Sequence, residues 1–298
     1  MAVDLPRQTD NAFLGDSLKG GSHEPTYGGV LSFMRRRYSR DLTGVDLAVW
    51  GIPFDASVSN RPGARFGPQG VRRASAIFDG DPQYPFEFDP FETLACVDYG
   101  DCVFDYGHNR DIPGHIEAQA REILQSGSHL FSIGGDHFVT YPLLKAHVEK
   151  HGPLALVQFD AHQDTWDDKG DRIDHGTFVG RAVREGLIDP EKSIQIGIRT
   201  HAPETCGLEI LYGEEVELLG VNGVVELVKD RANDFDGSHD AAAVRSARAT
   251  LAIAVDTFVR LLAHLTHPGA GQLASLSPDD TPARQSFGFA FITPPRTT

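Results

Sequence analysis

Asp160, Ala161, His162, Gln163 and Asp164 follow directly on the apolar run 154–159, so carboxylate, imidazole and carboxylate alternate at the end of a candidate strand. If the strand continues, its period of two puts Asp160, His162 and Asp164 on one face, and a bend beyond it lets them converge. Carboxylate oxygens with one imidazole form a hard, mixed N/O donor set that suits manganese better than zinc, which favours cysteine and histidine. Asp160 has two oxygens and can bridge two ions held ~3.5–4 Å apart. Water trapped between two such dications is acidified enough to be hydroxide near neutral pH, a nucleophile suited to an inert, resonance-stabilised carbon. The competing reading is a solvated strand-to-helix loop with an N-cap. His137 weighs against it, because it follows Gly134-Gly135-Asp136 at the end of another candidate strand, and paired glycines let the backbone approach a ligand closely. Asp136 can cap the helix that starts at Phe138 and also orient His137 from behind.

These residues need a scaffold that delivers strand ends to one place. Leu47-Ala48-Val49-Trp50, the segment 94–97, Leu130-Phe131-Ser132-Ile133, and the runs 154–159 and 194–198 read as strands. Helical spacing appears in Ile116, Ala120, Ile123 and Leu124, stopped by Gly127, and again from Phe138 to about Lys150, stopped by Gly152-Pro153. A short helix is expected around 31–38. Continuous apolar strands separated by helices indicate an α/β fold with a mostly parallel central sheet covered on both faces, a three-layer sandwich. Ligand sites in such sheets lie beyond the carboxyl ends of the strands, where both donor clusters sit. Three segments follow: an N-terminal extension (1–45), an α/β domain (46–265), and a low-order tail (266–298) dominated by proline, serine, threonine and glycine. Within the domain, 240–265 reads as one long alanine-rich helix.

Composition narrows the function. The 298 residues are 40% hydrophobic and 23% charged, ample core material for a globular protein. No apolar run reaches the ~18 residues of a membrane span, and the first residues lack the basic and apolar regions of a secretory signal. A net charge of −15 argues against nucleic acid or an anionic membrane as partner. It would favour a cationic ligand, although solubility is the simpler explanation. Cys96, Cys102 and Cys206 show no CxxC spacing and read as reduced thiols of a cytoplasmic protein.

Gly134-Gly135-Asp136-His137 and Phe159-Asp160-Ala161-His162-Gln163-Asp164 resemble the first two metal signatures of the ureohydrolases, the arginase and agmatinase superfamily. Further pieces resemble that framework in order. They are Gly51-Ile52-Pro53-Phe54-Asp55 and Arg61-Pro62-Gly63-Ala64-Arg65-Phe66-Gly67-Pro68, then Asp174-His175-Gly176-Thr177, Glu185-Gly186-Leu187-Ile188-Asp189-Pro190 and Gln195-Ile196-Gly197-Ile198-Arg199. The last three are similar to bacterial agmatinases in particular. The resemblance implies an arginase-like fold and two manganese ions, one held by His137, Asp160 and Asp164, the other by Asp160 and His162. It implies that His175 is the catalytic general acid for a departing amine, whereas Arg61 and Arg65 shape a turn and the following helix start. The implied reaction is hydrolysis of a guanidino group by a metal-bridging hydroxide, agmatine to putrescine and urea, in a homo-oligomer. Guanidinobutyrate or arginine is the alternative substrate, and a catalytically impaired metal-binding relative is the rival from another class.

That rival arises because the family's third metal signature, a strand ending in an aspartate pair, has no match. Either Asp234-Phe235-Asp236 substitutes for it without an apolar strand ahead, or a strand-helix-strand block is missing after about residue 232. The second is preferred, because the resemblance to the family's last helix continues to Leu265 and an aspartate pair without its strand is not positioned. The loss would be at least a βαβ unit of ~30 residues, leaving a second metal position incomplete and a sheet edge open.

Overall fold

A computed structural model describes residues 11–14, 17–20, 25–77, 89–167, 170, 172–231 and 289–293. Its strands are β1 (Arg37–Tyr38), β2 (Leu47–Ile52), β3 (Cys96–Asp101), β4 (His129–Gly134), β5 (Ala155–Phe159), β6 (Ile194–Ile198), β7 (Glu209–Tyr212) and β8 (Phe289–Thr293). The helices are α1 (Asn11–Leu14), α2 (Gly67–Ser75), α3 (Ile112–Gln125), α4 (Thr140–His151), α5 (Phe178–Arg184) and α6 (Gly213–Arg231). The strands form two four-stranded sheets, ordered β1-β3-β2-β4 and β7-β6-β5-β8. Every pairing is parallel except β5 with β8.

The apolar runs are continuous because both faces of each sheet are covered. Along β2, Ala48, Trp50 and Ile52 join a core with Ile112, Ile116, Ala120, Ile123 and Leu124 of α3 and with Leu143 and Leu144 of α4. The alternate residue Val49 packs on the opposite side with Ile133, Phe91 and Val71 of α2. In the second sheet, Leu156 belongs to the α3/α4 core together with Phe178, Val179 and Ala182 of α5. Val157, Ile194 and Ile196 meet Val224 and Leu227 of α6 on the other face. Helices therefore cover both sides of a mostly parallel sheet system, the expected α/β three-layer arrangement. The α3/α4/α5 core spans both sheets and joins them. Gly152, at φ +76, closes α4 with its N–H on the Val148 carbonyl and turns the chain into β5.

Three expectations need correction or limits. The helix expected around 31–38 is one 3-10 turn (Phe33–Arg35) followed by β1. Met34 and Arg35 hold φ +45 and +55, so helical propagation stops. Tertiary bonds impose this geometry. Buried Arg35 donates to the carbonyls of Ala76, Gly28 and Pro25, and the Phe33 N–H donates to the Asp98 carboxylate. The extension 1–45 thus contributes β1 to the first sheet. The low-order description of 266–298 does not hold at Phe289–Thr293, which pairs along all of β5 from Ala155↔Thr293 to Phe159↔Phe289. A short run rich in aromatic and β-branched residues meets an open strand edge there. Asp234, Asp236 and the segment 240–265 lie outside the described residues.

Candidate metal centre

β4 delivers His137. Its last residue, Gly134, leads into Gly135, where an added Cβ would lie 1.8 Å from the Phe54 carbonyl oxygen; no other residue fits that approach. The next N–H, of Asp136, donates to the same carbonyl at 2.7 Å. The Asp136 carboxylate accepts from the Phe138 N–H and the Ser57 N–H, both at 3.0 Å. It therefore caps the turn carrying His137 and ties that turn to the loop after β2. Burial raises the Asp136 pKa, and its hydrogen bonds oppose the rise. In the same loop, Asp55 accepts from the Gly63 N–H and from Arg65, which ties the turn carrying Arg65 to the end of β2.

β5 delivers the two aspartates, but the strand ends at Phe159. Asp160 extends the ladder by one bond, from its N–H to the Ile196 carbonyl. The chain then bends, with the Ala161 carbonyl held by the Arg199 N–H and Thr200 hydroxyl. Asp164 takes φ +52, a left-handed conformation that aspartate tolerates better than most residues. Its carbonyl accepts from the N–H groups of Val179 and Gly180 in the first turn of α5.

These paths bring His137, Asp160 and Asp164 together, with one donor atom from each within 4.8 Å of the others. His137 Nδ1 lies 2.7 Å from Asp164 Oδ2 and 3.1 Å from Asp160 Oδ2. Nδ1 meets these oxygens either as an N–H donor or, as a lone pair, through a cation lying between them. Burial alone would lower the His137 pKa, but its hydrogen bonds to Asp160 and Asp164 and their charges raise it. Burial pushes both carboxyls upward. In Asp160, hydrogen bonds from His137, the His162 N–H and Gln158 reverse the shift. Asp164 stays raised, because burial outweighs its bond to His137 and the Asp160 charge adds to it.

The donor set fits a hard divalent ion. Adjacent ligands of an octahedral ion with bonds of about 2.1 Å stand about 3 Å apart, which the 2.7 and 3.1 Å separations match. His162 lies outside this group of three. Because the strand ends before it, its side chain is half exposed, with Nδ1 at 3.8 Å from Asp160 Oδ1. The two oxygens of Asp160 therefore face two different histidines. His175 reaches the same region from the turn before α5, with Nε2 at 3.1 Å from the Ser59 hydroxyl, and its charge acts on both Asp136 and Asp164. Ser59 was not anticipated. Nor were the buried Gln158 and Gln195, although a glutamine inside an otherwise apolar strand is a visible signal.

A sequence profile of the arginase family matches residues 45–240. An agmatinase of Chromobacterium violaceum is 54% identical over 227 residues, covering 76% of this chain and 70% of that protein. A crystal structure described as a hypothetical agmatinase from Burkholderia thailandensis aligns with a TM-score of 0.74 and 48% identity, over 75% of this chain and 71% of the other. The proclavaminate amidino hydrolase of Streptomyces clavuligerus aligns at 0.63 and 34% identity, over 70% and 72%. The profile match over 45–240 and the 54% identity to an agmatinase place this chain in the arginase family.

Proposed function

We propose that this chain hydrolyses a guanidino group, with agmatine yielding putrescine and urea as the foremost reaction. The observation that carries the reading is the convergence of His137 Nδ1 with the carboxylates of Asp160 and Asp164 at the carboxyl ends of two strands. Similarity to agmatinases and to an amidino hydrolase supports the reaction class. His137, Asp160 and Asp164 would hold one manganese ion, and Asp160 with His162 would hold another. Bound there, manganese supplies Lewis-acid activation of water at neutral pH.

The chain's own groups do the rest. Asp136 fixes the His137 turn through two backbone N–H bonds. Asp160 divides its oxygens between the two histidines. His175, oriented by Ser59 at Nε2, delivers a proton to the amine nitrogen as its bond to the guanidinium carbon breaks. Burial pushes the thiols of Cys96 and Cys102 up to about 12, which leaves them inert; a cytoplasmic homo-oligomer is what similarity to the family implies. A second reading, a metal-binding relative with little turnover, is favoured by the half-exposed His162 and its 3.8 Å separation from Asp160.

The test is metal content and urea release on purified protein with saturating manganese. The proposal expects two ions per chain and manganese-dependent urea from agmatine, abolished by His162→Ala. One ion and background urea would favour the second reading, and no bound metal would sink the site assignment.

A further inference from the structure

Two glutamines lie in the middle of the second sheet, where apolar residues would be expected. Gln158 of β5 and Gln195 of β6 are fully buried and stand directly opposite each other in the parallel register. Their flanking residues Val157, Ile194 and Ile196 pack into the α6 core, so both amides project to the other face, the one that carries Asp160. An amide is costly to bury unless it is hydrogen-bonded, and here the bonds run in one direction. Gln195 Nε2 donates to Gln158 Oε1 at 2.7 Å and to the Gln163 carbonyl at 2.6 Å. Gln158 Nε2 donates to Asp160 Oδ2 at 3.1 Å and to the His162 carbonyl at 3.4 Å.

Only this orientation works. Turning the Gln158 amide would set its oxygen against the Asp160 carboxylate, which accepts but cannot donate when ionised. Turning Gln195 alone would set its oxygen against Gln158 Oε1 and the Gln163 carbonyl. The orientation has a cost, since Gln195 Oε1 is buried with no hydrogen-bond partner among the described residues. A pair of apolar residues would fill the same space without that penalty, so sheet packing does not account for the two amides. The relay ends on the oxygen of Asp160 that also faces His137, and its branch holds the loop between Asp160 and Asp164 at Gln163.

We propose that Gln158 and Gln195 are positioning residues that act in series to aim Asp160 Oδ2 at the metal position. The inference rests on the reading that His137, Asp160 and Asp164 bind a divalent cation. Groups behind a metal ligand typically change metal affinity by about 10- to 100-fold.

The experiment is manganese titration of metal-free protein by calorimetry, alongside urea unfolding of the same samples. Gln158→Met and Gln195→Met keep the volume and remove the donors. Each is expected to weaken manganese binding about 10-fold or more with the unfolding midpoint held or raised. Because the two act in series, the double variant should bind no more weakly than Gln158→Met alone. If the methionine variants do not fold, Gln195→Asn retains a buried amide one methylene short of Gln158 and should weaken binding in the same direction. Wild-type binding with unchanged affinity in the folded variants, or additive losses in the double variant, overturns the relay alone. Absence of manganese binding by the wild type overturns the cation site and the relay with it.

Discussion

Gly135→Ala tests whether the close approach between β4 and the loop after β2 sets the proposed metal centre. The new methyl carbon would lie 1.8 Å from the Phe54 oxygen, 2.6 Å from its carbonyl carbon and 2.7 Å from its nitrogen. All three are backbone atoms, so no side-chain rotation relieves the contact, and the chains must separate by about 1 Å or more. Overpacking of a tight site costs about 1–3 kcal/mol. The Asp136 N–H bond to the same carbonyl would lengthen or break, adding about 1 kcal/mol. We therefore expect a loss of about 2–4 kcal/mol in urea unfolding. His137 is two residues further on, and a shift of that size removes its Nδ1 from the 2.7 Å contact with Asp164. Manganese affinity should fall about 10-fold or more. Gly114→Ala is the control: in α3, with nothing within 4 Å of the added carbon, it should be neutral or stabilising by up to about 1 kcal/mol. A Gly135→Ala protein within about 0.5 kcal/mol of wild type and with unaltered manganese affinity would refute the reasoning.

Three further outcomes follow from the packing. Burial holds the His147 pKa down at about 4, against 6.5 in an open chain. The group's contribution is thus full above pH 6.5 and is lost as pH falls toward 4, about 3 kcal/mol across that window. His147→Gln should flatten the pH dependence of unfolding there, and an unchanged slope would count against it. Arg72 forks onto the buried Asp98 carboxylate and also reaches Asp101. Asp98→Ala should therefore cost about 3–5 kcal/mol, and a loss under about 1 kcal/mol in urea unfolding would show the pair to be dispensable. Removing residues 289–298 should uncover the β5 edge and promote concentration-dependent association by light scattering; a truncated protein that stays monodisperse with the same unfolding midpoint would deny β8 a covering role.

Much of this molecule is written in local patterns. The strands β4, β5 and β6 fall within about a residue of their apolar runs, and β2 starts at Leu47 as read but runs on to Ile52. The reason is local: a run buried on both faces needs no partner to be recognised. Helix α3 shows its apolar spacing in the same way, though it begins at Ile112, four residues before the first residue of the pattern. The apolar run 94–97 only partly matches β3, which begins at Cys96 and runs to Asp101: the Leu94 N–H still belongs to the turn at Pro90, and the second half of the strand, Asp98-Tyr99-Gly100-Asp101, carries no apolar run. The helix expected around 31–38 failed for a different reason: its backbone is set by Asp98 and Ala76, at sequence separations of 65 and 41 residues.

The donor types and their place at strand ends were likewise legible, since His137, Asp160, His162 and Asp164 stand just after apolar runs. What the one-dimensional pattern does not contain is convergence. Period two would have put Asp160, His162 and Asp164 on one face. The chain instead bends at Ala161, held by Arg199 and Thr200, and Asp164 reaches its place through a left-handed residue anchored on α5. The choice among donors, with Asp160 and Asp164 gathered around His137 Nδ1 and His162 at the rim, belongs to that bend. So does the glutamine relay, which exists only because β5 and β6 pair in a register that sets Gln158 against Gln195. The sequence by itself determined the layered α/β scaffold and the hard donor chemistry, because burial and residue type are properties of single segments. Tertiary structure alone decided which donors meet and how they are aimed, because those distances depend on strand register and loop contacts between segments far apart in the chain.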